Sequence, residues 1–155
     1  MGLVIGALLS AAAVATALVL QHFFDMMPCA WCVMQRFLYL LIVVWAIVGW
    51  PLRNVPAAWR AINGLAVVTA IAGMAAGIYQ WGWASKTSSC ALTFADRVMT
   101  KLGLDQALPS VFAATAPCDE ASAPLLGVPF PLWAVALFGL IAVIVLPSVL
   151  GRDRR

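Results

Sequence analysis

The sequence predicts an all-α membrane protein: a four-transmembrane-helix bundle with a long outer loop that carries a short amphipathic surface helix. Three observations predict it. Apolar residues make up 65% of the chain and charged residues only 10%, and the mean hydropathy is +1.01, values that no soluble domain's surface sustains. Four apolar stretches, at about 2–21, 36–50, 61–81 and 128–148, each come near the roughly 20 residues a membrane helix needs. The breaks between them hold nearly all the charges and the turn formers Pro51 and Pro56. The 155 residues therefore read as one integral-membrane domain, 1–155, in contact with membrane lipid, and nothing in the composition points to nucleic acid.

The first stretch includes "AAAVATA", small residues of the kind a signal peptidase accepts. We read it as a retained span, since it lacks a basic leader, outruns a typical signal core and ends on Gln21 and His22, as an interface would. An outer loop over 22–35 follows, then the second span, the loop 51–60 and the third span. Gly2 with Gly6 and Gly73 with Gly77 stand four apart, a spacing that lets helix backbones approach closely in lipid. A second outer loop, 82–127, precedes the fourth span. Within it Ala95, Val98, Met99 and Leu102 make an apolar helical face opposite Asp96, Arg97, Thr100 and Lys101, which suits either a helix lying on the membrane or a small packed one. Thr93 with Asp96 resembles a capping box, and Gly103 is a natural stop.

Charge sets the orientation. The loop 51–60 and the tail carry Arg53, Arg60, Arg152, Arg154 and Arg155 against Asp153, a net of +4, so that side and both termini are expected in the cytoplasm. Arg36, Lys86, Arg97 and Lys101 against Asp25, Asp96, Asp105, Asp119 and Glu120 leave the other side at −1. All four cysteines fall on that side, which in the inner membrane of a bacterium is the periplasmic face, where disulfides persist.

Four cysteines allow three pairings, and proximity favours Cys29 with Cys32 and Cys90 with Cys118. A structural staple suits the second pair: its 29-residue loop is worth roughly 3.6 kcal/mol by chain entropy. It suits the first pair poorly, since a four-residue ring gives only about 1.9 kcal/mol. "MMPCAWCVMQR" instead has the spacing of a redox dithiol. Pro28 belongs at the opening turn of a helix, whose unpaired N–H groups stabilise an adjacent thiolate. Arg36, four residues after Cys32, shares its helix face and can reach back to stabilise a thiolate or a bound anion. A snorkelling anchor is the other reading of Arg36, and the neighbouring dithiol favours the functional one.

Such a dithiol needs an acceptor for two electrons. One histidine, His22, rules out bis-histidine haem within the chain. There is no dinucleotide fingerprint, and four cysteines split between two loops hold at best one metal ion. A membrane quinone remains, with Trp31, Phe37 and Tyr39 either lining its pocket or serving as plain interface anchors.

These residues resemble the bacterial disulfide-bond formation protein B (DsbB) family over nearly the whole chain. The likeness rests on "QHFFDMMPCAWCVMQR", on a second loop holding Cys90 and Cys118, on "LPSVFAATAPCDE" and on "VPFPLW" opening the last span. The resemblance implies a quinone-dependent thiol oxidoreductase with Cys29, Cys32, Cys90 and Cys118 catalytic and no metal. Cys32, Arg36 and Trp31 would face ubiquinone or menaquinone. Cys90 would be attacked by a periplasmic DsbA-like thiol oxidase, and Cys118, once released, would pair transiently with Cys29. The family's short horizontal membrane-associated helix agrees with the amphipathic stretch around Ala95, Val98, Met99 and Leu102. Several members carry a histidine near the outer end of the third span; here "IYQWGW" puts Gln80 or Trp81 in its place, and Gln35 stands before Arg36 where some members have an acid. Two other classes fit the bare residues, a scaffold with a disulfide-stapled loop and a four-cysteine metal site.

Overall fold

The computed structural model describes residues 1–86, 93–119 and 124–151, apart from the side chain of Leu125. Cys90, Glu120 and the charged tail of Arg152, Asp153, Arg154 and Arg155 lie outside the described residues. In chain order the elements are α1 (Gly2–Phe23), α2 (Ala30–Gly49), α3 (Pro56–Gly82) with a 3₁₀ turn at Ala84–Lys86, α4 (Phe94–Leu102), α5 (Leu104–Ala107), α6 (Pro109–Phe112), a hairpin of β1 (Pro124–Leu125) and β2 (Val128–Pro129), and α7 (Phe130–Val149). The four long helices α1, α2, α3 and α7 are each long and apolar enough to cross a bilayer.

Proline and turn chemistry set the boundaries. Pro56 opens α3, and Pro131 sits in the first turn of α7, where no intrahelical N–H bond is lost. Between α1 and α2 the chain reverses through Asp25 at φ 51, a left-handed conformation that aspartate tolerates. Leu126 and Gly127, at φ 55 and 81, form the two-residue turn of the hairpin, as a type I′ geometry requires. The second span differs most from expectation: its helix starts at Ala30, six residues ahead of 36. Pro28 ends the preceding turn, Cys29 caps the helix with extended backbone, and the apolar "AWCVM" needs no loop. The dithiol therefore sits at the helix opening that Pro28 indicates, with Cys29 as the cap and Cys32 within the first turn of α2.

Lipid offers no hydrophobic drive between helices, so close packing and polar contacts must join them. Leu3, Ile42, Ala66, Ala70, Phe138, Ile141 and Val145 are fully buried at the centre. Tyr39 stacks on Phe138 with ring centroids 3.9 Å apart, and its hydroxyl donates to the Ala134 carbonyl at 3.2 Å. Trp45 Nε1 donates to Thr69 Oγ1 at 3.1 Å, tying α2 to α3. The paired glycines do pack: Gly6 meets Ile141 and Val145, Gly73 lies under the Phe138 ring and Gly77 under Val135.

A second cluster covers one end of the bundle, where Ala95 and Met99 of α4 and Phe112 of α6 bury against Ala30, Val33 and Met34 of α2. The capping box of α4 is complete, with Thr93 and Asp96 bonding reciprocally, and Gly103 closes the helix at φ 67. Part of the expected apolar face is thus spent on α2, while Leu102 and Phe94 stay exposed beside it.

Candidate thiol-redox site

The site forms where the N-terminus of α2 meets the loop that docks on it. Cys29 is fully buried and Cys32 nearly so. One helical turn brings their sulfurs to 3.3 Å, with the Cys29 thiol donating to Cys32. The amides of Thr115 and Ala116 donate to the Pro28 carbonyl at 2.9 and 3.2 Å. That docking brings Cys118 onto Cys29, with which it shares a hydrogen bond, and the backbone N–H of Trp31 also bonds the Cys118 sulfur. Three of the four sequence-predicted cysteines are therefore gathered at one helix terminus.

Cys29 and Cys118 are unequal. The hydrogen bond from Cys29 holds the Cys118 thiol below its ordinary range; burial opposes this and the Trp31 N–H adds to it. Cys29 moves the other way, raised by its hydrogen bonds to Cys118 and Cys32 and then by burial. The proton stays on Cys29, and Cys118 is the sulfur prepared to ionise.

Arg36 is buried among α1, α2 and α6. Its guanidinium donates to Gln21 Oε1 at 2.6 Å, to the Val111 carbonyl at 3.1 Å and to the Ala17 carbonyl at 3.5 Å. Gln21 in turn donates to the Ser110 carbonyl at 3.4 Å. The arginine thus spends these donors on binding the long loop to two spans rather than on the Cys32 sulfur, the contact its helix position suggested. It still shares a wall with that sulfur. An apolar cavity of about 370 Å³ runs between α1, α2 and α7 with Cys32, Gln35, Arg36 and Tyr39 on one side and Leu9, Trp133 and Leu137 among its other walls. A cavity of about 250 Å³, lined by Asp25, Met27 and Ala116, meets it at Cys32 and Arg36.

Trp31, expected to line the same pocket, does not. A step of one residue rotates a side chain by about 100° around the helix, so Trp31 leaves the groove that Cys32 faces and packs on Tyr79 at 4.8 Å between ring centroids. Its indole N–H is buried with no partner among the described residues. His22 is exposed, with its ring nitrogen on the Leu18 carbonyl, away from the sulfurs. Gln80 lies at the sulfurs themselves, donating to Cys32 Sγ at 3.1 Å and to Cys29 Sγ at 3.4 Å. In the sequence it stands out only as the residue found where members of the resembled family have a histidine. An amide inside an apolar span was the available signal, since such groups must find partners, though Asn63 in the same span carries the same signal.

A multi-pass helical membrane protein that seats a dithiol in a helix's first turn, presents a third cysteine to it and opens it to an apolar groove is a membrane thiol oxidoreductase. The family model described as disulfide bond formation protein DsbB matches residues 1–147. Disulfide bond formation protein B 1 of Pseudomonas syringae pv. syringae is 31% identical, covering 99% of this chain and 90% of the relative. Disulfide bond formation protein B of Burkholderia pseudomallei is 33% identical over 99% and 90%, and that of Cupriavidus necator 28% over 96% and 91%. The chain belongs to the DsbB family, and it is a membrane disulfide-bond formation protein.

Proposed function

We propose that this chain reoxidises a periplasmic DsbA-like dithiol protein and passes the two electrons through Cys90/Cys118 and Cys29/Cys32 to a membrane quinone, ubiquinone or menaquinone. The observation that carries the reading is the junction of Cys118 with Cys29, one turn from a Cys32 that also lines an apolar groove. The reaction begins when the partner's thiolate attacks Cys90 of a Cys90–Cys118 disulfide and Cys118 leaves as a thiolate. Cys118, already bonded to Cys29, attacks that sulfur; the Cys29–Cys32 bond breaks and its electron pair leaves on Cys32. The partner's second thiol releases the oxidised partner from Cys90, and Cys90 then recovers Cys118, leaving Cys29 and Cys32 as the reduced pair.

The groove suits a quinone, since its apolar walls match an isoprenoid tail and the permanently charged Arg36 beside Cys32 matches an oxygen that gains charge. A bound quinone supplies the two-electron, two-proton acceptor that returns Cys29 and Cys32 to the disulfide. Arg36 would hold the head end, and the surrounding helices would keep water from the thiolate. The basic loop 51–60 supports an orientation with both termini cytoplasmic and the cysteine loops periplasmic, the inner membrane of a bacterium being the setting this function needs; there α4, with Phe94 and Leu102 exposed, would lie on the membrane surface. The test is anaerobic quinone reduction in proteoliposomes supplied with a reduced DsbA-like protein, where one quinol should form per partner disulfide. A scaffold or a metal site would leave the quinone oxidised.

A further inference from the structure

Gln80 is fully buried in α3, inside an apolar span, where an amide is tolerated only if its hydrogen bonds are made. Both ends are engaged. Its Nε2 donates to Cys32 Sγ at 3.1 Å and to Cys29 Sγ at 3.4 Å, and its Oε1 accepts from Gln35 Nε2 at 2.9 Å. Gln35, one turn along α2 from Cys32 and itself 4% exposed, fits beside Gly77, where a Cβ would come within 3.5 Å of its Nε2. With Gln80's oxygen taken by Gln35, only its N–H groups face the sulfurs. Arg36, the charge nearest the pair, spends its donors on Gln21, Ala17 and Val111. The amide is therefore the side-chain donor in direct contact with the dithiol.

An uncharged donor fits a group that alternates between a neutral disulfide and an anion. A lysine or arginine in this place would be a buried, unpaired charge whenever the disulfide is closed. An amide has no such penalty, and its bond to Gln35 does not depend on the charge of the sulfurs. Two N–H groups on one nitrogen also reach both sulfurs.

We propose that Gln80 is a catalytic residue of the dithiol, donating from Nε2 to whichever of Cys29 and Cys32 carries the electron pair, and that Gln35 is the positioning residue that keeps the donor pointed at them. The inference rests on the exchange sequence proposed above. As Cys118 Sγ bonds to Cys29 Sγ, the Cys29–Cys32 bond breaks and the pair leaves on Cys32, the sulfur closer to the amide; the step is a displacement among three sulfurs and needs no outside oxidant.

The experiment follows alkylation of Cys32 by iodoacetamide at pH 7 in the fully reduced, detergent-solubilised chain, with the site resolved by peptide mass spectrometry. A hydrogen bond to a charged group changes the ionised fraction about tenfold, and the higher nucleophilicity of a more basic sulfur returns somewhat under half of that on a logarithmic scale. Gln80→Met should therefore slow Cys32 at least about threefold, and Gln35→Met should slow it less. Gln80→Leu removes the donor with little change of volume, and should also slow it. The sign separates this from a packing role, because loosening the bundle around a buried Cys32 would speed its alkylation. Rates equal to or above wild type in a folded Gln80→Leu or Gln80→Met overturn the proposal. Partner oxidation by the wild-type chain tests the exchange sequence separately, since the alkylation assay contains neither partner nor quinone.

Discussion

Cys29 and Cys118 share a hydrogen bond whose proton stays with Cys29, and this makes the reactivity of one depend on the other. Cys118 is held low chiefly by Cys29, so Cys29→Ala should raise its pKa toward the ordinary thiol value of about 8.5. At pH 7 its ionised fraction then falls, and alkylation of Cys118 should need a higher pH to reach the same rate; an unchanged pH profile would sink the shared-proton account. Cys29→Ser and Cys32→Ser should each abolish partner oxidation yet leave an inserted, folded chain, because the four-residue ring is worth only about 1.9 kcal/mol. Loss of insertion would mark the pair as structural. Cys90→Ser should prevent a trapped mixed disulfide with a partner lacking its second active-site thiol. Recovery of the wild-type adduct on Cys118 alone would exchange the roles of the two cysteines. At Arg36, lysine keeps the charge but not the planar fork whose Nη1 donates to Gln21 and Val111 and whose Nη2 donates to Ala17. Arg36→Lys should retain part of the activity with weaker quinone binding, and Arg36→Met should raise the Michaelis constant for quinone about tenfold or more, the loss expected for a charged hydrogen bond. Normal kinetics in an inserted Arg36→Met would leave the arginine as an anchor.

Among elements, α3 against α7 offers a controlled comparison. Gly73→Ala puts a methyl group into the Phe138 ring, and overpacking of this kind costs about 1–3 kcal/mol. Gly64→Ala, on the same helix, meets nothing within 4 Å, so only the helix-forming advantage of alanine applies, a gain of about 0.5–1 kcal/mol. Thermal unfolding in detergent should move down for the first and slightly up for the second. Equal shifts would mean that glycine in α3 answers to backbone propensity alone. The glycine spacing and the caps of α4 were legible because each depends on residues within one or two helical turns. Pro28 marks the opening turn of α2 in the sequence, but the apolar span reads as starting only at 36 because Arg36 interrupts the run, whereas in the bundle its charge is satisfied by α1 and α6 and interrupts nothing.

At the scale of the molecule, orientation follows from basic residues at one end of the bundle. Arg53 lies 4.6 Å over the Trp50 ring just after α2, a cation paired with an aromatic residue at a helix end. In a chain whose native cysteines are replaced, Gln106→Cys, on an exposed site after α4, should react with a membrane-impermeant maleimide applied to the periplasmic side. Arg53→Cys should react only after the membrane is opened. The reverse pattern would invert the topology and place the thiol chemistry in a reducing compartment.

The sequence by itself determined four spans, the dithiol spacing, the amphipathic loop helix with its caps, and the segregation of cysteines from most of the basic charge, because apolar length, helical period and charge balance are local or additive properties. Tertiary structure alone decided that Cys118 rests on Cys29, that Arg36 reaches Val111 across 75 residues, that Gln80 meets Gln35 across 45, and that Cys32 opens to a groove while Trp31 turns from it. These contacts join elements distant in sequence, and their geometry depends on how each helix is rotated and shifted against its neighbours. No single segment encodes that register; it emerges from the packing of small residues and buried polar pairs across the whole bundle.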